Sequence, residues 1–306
     1  MEDPADNMRV LVPYPNITRE NAIGRVILTL ERAMEGKLTY LFVDGRNTTI
    51  VPIPKLKTPS YLFFAGRRIR SLSYDLAHVH LTKLVRLIRG KPILLTIHGD
   101  PFLGMGQEGR RSTLRSISRA DVVTCVNPVQ AQENGWTWVP NCIDPAEVAP
   151  VPAANTRTIL FVGRRDPIKG YELFAEATKG MASAKALGLD RVSPWEEVIS
   201  YMKSAECLVI PSVSEYFSLV RLEAWACGCP VIASNISELS AFGDKATLYV
   251  ERDPGRFRNA ITELQNDPLL RQRLVAEGRR EVEGRFYYKR VGEQYLGLYR
   301  RALVQK

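Results

Sequence analysis

The stretch Ser214-Glu215-Tyr216-Phe217-Ser218-Leu219-Val220-Arg221-Leu222-Glu223 sets two carboxylates eight residues apart. Glu215 precedes a short hydrophobic turn, and Glu223 lies in the helix that the turn starts. Such a turn offers polar side chains and the open N–H groups of a helix start to one ligand bearing hydroxyls and phosphates. Upstream, Gly163-Arg164-Arg165-Asp166-Pro167-Ile168-Lys169-Gly170 follows an apolar strand. Arg164 and Lys169 straddle the turn into the next helix, where two cations can hold a diphosphate; surface ion pairing is their alternative. Gly170 permits close backbone approach. His98-Gly99-Asp100 ends another apolar run, and His78 and His80 end a third, where strand alternation puts both on one face.

These groups are useful only if strand ends present them together. Arg9–Val12 reads as a strand, Arg19–Met34 as a helix with Ile23, Val26, Ile27, Leu30 and Met34 on one face. Leu38–Val43 and Thr48–Ile53 are β-rich. Leu76–His80 and Pro92–Ile97 flank a predicted helix over Leu81–Arg89; a helix over Gly109–Arg119 leads into Asp121–Val126. Asp144–Asn155, with three prolines and four alanines, reads as a linker. Beyond it, Thr158–Val162, Cys207–Ile210, Pro230–Ala233 and Thr247–Val250 alternate with helices, and three helices close the chain. The last carries an apolar stripe of Val291, Tyr295, Leu298 and Ala302. Continuously apolar strands between helices imply two mostly parallel α/β sheets in series, with ligands at the carboxyl ends of the strands in a cleft between domains. The expected division is 1–150, 156–285 and a C-terminal helix, 286–306, packing back on the first domain.

With 306 residues, the chain can bury two ordinary cores. Its five cysteines are odd in number and its three histidines lie apart from Cys227-Gly228-Cys229, so buried free thiols are expected and no metal site. No apolar run reaches the ~18 residues needed to cross a bilayer, and the acidic start lacks the regions of a signal peptide. The expectation is a cytoplasmic protein. Net charge is +9, and Arg46–Arg119 holds fourteen Lys or Arg against three acids. That bias suits nucleic acid, anionic lipid or a phosphorylated substrate, and equally plain solubility.

The Gly163–Gly170 and Glu215–Glu223 segments, followed by Ala226-Cys227-Gly228-Cys229-Pro230-Val231-Ile232-Ala233-Ser234, resemble the C-terminal domain of retaining nucleotide-sugar glycosyltransferases of the GT-B fold, group 1 or GT4. Asp75–His80, Lys91–Gly99, Ala120–Val126 and Val139–Asp144 resemble that family's N-terminal strand ends. The resemblance implies two Rossmann-like domains facing across a cleft and transfer of a sugar from a UDP- or GDP-linked donor to a glycan or lipid-linked hydroxyl, without a cofactor. It implies that Glu223 holds the ribose hydroxyls, Glu215 lies against the transferred sugar, and Phe217, Ser218 and Leu219 turn backbone N–H groups to the phosphates. His98 resembles the histidine that contacts the donor sugar, with Asp100 orienting it or holding an acceptor hydroxyl. A helix cap is the alternative for Glu215.

The chain departs from the family's pattern at three points. Serine stands at 218 where glycine is usual, and its Cβ narrows the space near the sugar. Pro13-Tyr14-Pro15-Asn16-Ile17-Thr18 replaces the glycine pair after the first strand, with Gly24 already in the helix. Lys179–Arg191 shows no convincing strand, which points either to a lost sheet member or to a base read differently, by Arg191 and Val192. Arg164 and Lys169 neutralising the diphosphate, with no Asp-x-Asp pair in the chain, point to metal-independent chemistry. Retention, with the departing phosphate taking the acceptor proton, follows from the resemblance. Rival readings are a phosphorylase or hydrolase on the same scaffold, a scaffold that has lost activity, and a basic nucleic-acid-binding protein, against which stands the lack of a zinc finger, KH loop or RNP aromatics. For a lipid acceptor, Arg67, Arg68, Arg70, Lys83, Arg86 and Arg89 can approach anionic headgroups at the inner membrane face, beside Leu62, Phe63 and Phe64.

Overall fold

Apolar runs of four to six residues become strands here because helices cover both faces of each sheet. The computed structural model describes residues 7–48 and 54–304, of 54–58 the backbone alone. The chain forms two units, the first running to Pro140 and resuming at Val291, the second spanning Asn141–Arg290.

The first unit contains β1 (Met8–Pro13), α1 (Ala22–Ala33), β2 (Leu38–Val43), α2 (Pro54–Arg70), β3 (Leu76–Val79), β4 (Ile93–Ile97), α3 (Gln107–Ile117), β5 (Val122–Cys125), α4 (Pro128–Asn134) and β6 (Thr137–Trp138). Its parallel sheet has the order β2-β1-β3-β4-β5-β6, with Val12 beside Phe42 and Val10 beside Leu76. The chain leaves β1 first to one side and then to the other, so the sheet's switch point lies between β1 and β3. Asn21 starts α1 by accepting the Gly24 N–H at 2.9 Å. At Gly24 a Cβ would stand 2.5 Å from the Asn16 carbonyl, so this glycine lets the loop after β1 lie directly on α1.

The second unit contains α5 (Pro145–Val148), β7 (Ile159–Val162), α6 (Tyr171–Ala177), β8 (Ala184–Leu187), α7 (Trp195–Ser204), β9 (Cys207–Ile210), α8 (Leu219–Ala226), β10 (Val231–Ser234), α9 (Ser237–Ser240), β11 (Thr247–Val250), α10 (Pro254–Asn266) and α11 (Pro268–Glu283). The parallel order β11-β10-β9-β7-β8 puts its switch point between β7 and β9. Asp253 and Asp267 cap α10 and α11, each followed by proline at the first helical position. Finally α12 (Tyr288–Val304) buries Val291, Tyr295, Leu298 and Ala302, the stripe read from the sequence, and its part from Val291 groups with the first unit.

Several local expectations need correction. The segment thought to have lost a strand supplies β8, which pairs with β7 from Ile159 beside Ala184 to Val162 beside Leu187. Ala-Lys-Ala-Leu has weak strand preference, and the pairing with β7 at the sheet edge outweighs it. The helix expected over Leu81–Arg89 is a 3-10 helix over Thr82–Leu87. The presumed linker opens with α5, where Asp144 accepts the Ala146 N–H at 3.0 Å. Of the β-rich run Thr48–Ile53, all but Thr48 lies outside the described residues. All five cysteines are free thiols. Among the described residues no helix is long and apolar enough to cross a membrane, and no cluster of His, Cys, Asp or Glu is placed to hold a metal ion.

Candidate functional site

The second unit builds its site at the β7/β9 switch point. After β7, Asp166 accepts the Ile168 N–H at 3.0 Å and its carbonyl accepts the Lys169 N–H at 2.8 Å, which folds the loop back on itself. Gly170 then takes φ 73°, and a Cβ there would lie 2.2 Å from the Pro211 carbonyl. No other residue type fits, so the glycine seats Lys169 against the end of β9. From that end, Ser212 and Glu215 meet it: Lys169 Nζ donates to Glu215 Oε2 at 2.6 Å, with Ser212 Oγ 3.4 Å from the same oxygen. The pair is partly shielded, Lys169 being 31% and Glu215 10% exposed.

Three residues on, the chain enters α8. Ser218 is its N-cap residue, with extended backbone, yet its side chain makes no capping bond. The Ser218 hydroxyl is buried and without a hydrogen-bond partner. A buried unpaired hydroxyl costs ~1–3 kcal/mol, and the first N–H groups of a helix have no intrahelical acceptor. An uncapped helix start with an idle hydroxyl suits an anion that accepts from both. One turn into α8, Glu223 is buried and its Oε1 accepts from Trp195 Nε1 at 3.1 Å. Helix α8 itself is anchored from behind by Arg221, fully buried, which bonds to the Tyr249 hydroxyl at 2.8 Å and pairs with Asp244 at 3.4 Å. Its guanidinium lies over the rings of Trp225 and Phe242.

The remaining residues expected here are less gathered. Arg164 is largely exposed, 3.4 Å from Asp166 Oδ2. Arg191 is exposed and faces Glu197 at 3.5 Å, and Val192 is 69% exposed. Phe217 buries its ring against Phe242 and Phe286, a packing role beside any offered by its backbone. Leu219 opens α8. Trp195 and Ser212 had no assigned part in the sequence reading. Trp195 begins α7, and its position relative to Glu223 depends on β8, the strand that the sequence did not reveal.

In the first unit, the strand ends beside the β1/β3 switch point carry the histidines. His80 Nδ1 and His98 Nε2 are 2.9 Å apart, and the rings of His78 and His80 stack at 4.2 Å. His78 bonds through Nδ1 to the Tyr299 hydroxyl and through Nε2 to Thr96 Oγ1, both at 2.7 Å, so its role is structural. Burial lowers the pKa of all three, His78 to about 3 and His98 to about 4, so the stack is neutral at pH 7. Asp100 does not orient His98; it accepts the Phe102 N–H at 2.8 Å in its own turn.

The family model for glycosyl transferases group 1 matches residues 184–281, from β8 into α11. A D-inositol 3-phosphate glycosyltransferase of Acidothermus cellulolyticus is 26% identical over 343 aligned positions, covering 83% of this chain and 75% of its own. Family model and relative alike put the chain's similarity among the group 1 glycosyltransferases. Sucrose-phosphate synthase from Thermosynechococcus elongatus shares the fold at TM-score 0.78 and 17% identity, over 98% of this glycosyltransferase and 100% of that chain. Anabaena HepE, solved in complex with UDP-glucose, follows at TM-score 0.74 and 14% identity, over 95% and 99%. The two Rossmann-like units are thus those of the GT-B fold, and the chain is a sugar-transferring enzyme.

Proposed function

We propose that this glycosyltransferase moves a sugar from a nucleoside-diphosphate-sugar to an acceptor hydroxyl with retention at the anomeric carbon. In this reading, Lys169 and Arg164 take the diphosphate, joined by the N–H groups of Phe217, Ser218 and Leu219. Glu223 accepts from the ribose diol, to which a carboxylate is matched because it can take two hydrogen bonds. Glu215 attends the transferred sugar, and Arg191 and Val192 flank the base. The supporting observation is the Lys169–Glu215 pair at 2.6 Å, which places a cation for the leaving group and a carboxylate for the sugar in one contact. An ammonium has three donors, so Lys169 can hold Glu215 and a phosphate oxygen together.

As the glycosidic bond breaks, negative charge grows on the diphosphate, and fixed cations stabilise it most at that moment. This is the work that a divalent ion would otherwise do, and the reading is metal-independent. His98, neutral at pH 7, enters the proposal as a hydrogen-bonding group for the donor sugar. UDP is the first nucleotide to test, because HepE was solved with UDP-glucose; GDP is the second. The acceptor is proposed as a glycan or lipid-linked hydroxyl, with a phosphorylated cyclitol as a further candidate from the name of the inositol-phosphate relative. A thermal-shift screen of nucleoside diphosphates and their sugars tests the donor reading. One nucleotide should raise Tm, and Glu223→Ala should abolish the rise; no response to any nucleotide, or a full response in the variant, overturns it.

A further inference from the structure

Outside the β7/β9 site, α2 and the turn after β2 in the first unit enclose a further recess. There a surface pocket of about 610 Å³ is lined by Arg46, Asn47 and Thr48 from the turn and by Phe64, Arg67 and Arg68 from the helix. That volume falls within the ~300–1,000 Å³ of small-molecule sites. The turn is rigid. Buried Asp44 accepts the Arg46 N–H at 2.9 Å and Arg46 Nε at 2.7 Å, while Asn47 Oδ1 accepts the Asp44 N–H at 3.0 Å. Asp44 thereby neutralises Arg46.

Arg67 and Arg68 are different. Both are exposed, and neither has an acidic partner among the described residues. The hydroxyls nearby are already engaged as donors, Thr48 to the Asp44 carbonyl and Ser71 to the Arg68 carbonyl. The pocket's free donors are therefore two guanidiniums with a net charge of two, set beside an aromatic wall. Planar guanidiniums bind phosphate oxygens through paired N–H groups, and two of them balance the charge of a phosphomonoester.

We propose that this pocket binds the phosphate group of a phosphorylated ligand. The shared chemistry has two sources, a soluble phosphomonoester and the headgroup of an anionic lipid. For the second, Phe63 stands 62% exposed one position from the pocket wall, its ring 5.2 Å from that of Phe64, as an apolar group at a headgroup interface would.

The test uses the full chain and three probes. Glycerol 3-phosphate and inorganic phosphate are titrated calorimetrically, and sedimentation is measured with phosphatidylcholine vesicles with and without phosphatidylglycerol. The double variant Arg67→Gln/Arg68→Gln keeps most of each stem. Arg110→Gln/Arg111→Gln removes the same charge from α3 and serves as the control. Losing two arginines should weaken binding to phosphatidylglycerol vesicles about 25-fold, at about fivefold for each. Loss of a soluble phosphomonoester should be at least about tenfold. Binding of glycerol 3-phosphate assigns a soluble ligand, and binding to phosphatidylglycerol vesicles alone assigns a lipid headgroup. Absence of binding by every probe, or an equal loss in the α3 control, overturns the proposal. UDP affinity, followed in the same variants, should not change, so failure of the donor reading and failure of this one are told apart.

Discussion

Replacing Lys169 separates a structural ion pair from a ligand-binding one. Lys169→Ala removes the 2.6 Å contact with Glu215, in which the lysine is 31% and the glutamate 10% exposed. Because the lysine reaches solvent, the lost pair should cost stability only ~0–1 kcal/mol. Ser212 Oγ, 3.4 Å from the same Glu215 oxygen, stays in place. Binding of UDP should suffer more. A charge-assisted hydrogen bond is worth ~1.5–3 kcal/mol, which converts to about a 10- to 150-fold rise in Kd. Because the charge it answers grows during bond cleavage, kcat/KM should fall by more than the affinity does. Glu215→Gln provides the complement. It frees Lys169 from its carboxylate, so UDP affinity should stay within about threefold of wild type while transfer falls. Calorimetric titration with UDP, urea unfolding and initial rates on the three proteins give every quantity needed. If Lys169→Ala unfolds more easily but binds UDP within about threefold of wild type, the lysine is a structural partner of Glu215 and the diphosphate assignment is wrong.

The chain's only histidines, His78, His80 and His98, are all held neutral by burial, against an ordinary value of 6.5. Between pH 7 and 5 the unfolded chain binds protons that the folded one refuses, so stability should fall with pH by up to about 1.4 kcal/mol per unit per histidine; urea midpoints at pH 7, 6 and 5 check this, and a flat profile contradicts the burial of the stack. Gly170→Ala should lose more than ~2 kcal/mol, because it adds the steric cost of a left-handed backbone to a Cβ 2.2 Å from the Pro211 carbonyl. Gly180→Ala, at φ 81° with nothing within 4 Å of its Cβ, pays only the backbone part, so equal losses would refute the clash. Sugar transfer should survive EDTA, as measured by initial rates with and without the chelator; activity restored only by a divalent ion would show that Arg164 and Lys169 do not suffice.

What the sequence made legible were features carried by local chemistry. The strands β7, β9 and β10 are short apolar runs each bounded on one side by Gly or Pro, and α10 and α11 begin with Asp-Pro, so their type and place are written in a few residues. Lys169 and Glu215 were each visible because a strand end and a turn surround them. Their contact was not, since it depends on β7 and β9 lying side by side although 44 residues separate Val162 from Cys207 in the chain. Less legible were elements whose stability comes from neighbours. Ala184–Leu187 has little strand character of its own, and only β7 beside it makes it one. Once it is present, the chain returns to the same end of the sheet before α7, and Trp195 reaches Glu223.

Ser218 shows the same dependence at the level of one atom. From sequence alone the residue reads as a glycine replaced by something bulkier, and bulk near a sugar counts against binding. In the fold its hydroxyl is buried, caps nothing and has no partner. A group in that state destabilises the empty protein and gains most from a ligand that supplies an acceptor, so the substitution works in favour of an anion at the start of α8. Ser218→Gly should therefore leave the unliganded protein no less stable, apart from the entropy of the added glycine, while weakening UDP binding by about fivefold, the worth of one neutral donor of ~1 kcal/mol. Tighter UDP binding in the glycine variant would mean that the Cβ obstructs the donor and that the hydroxyl contributes nothing.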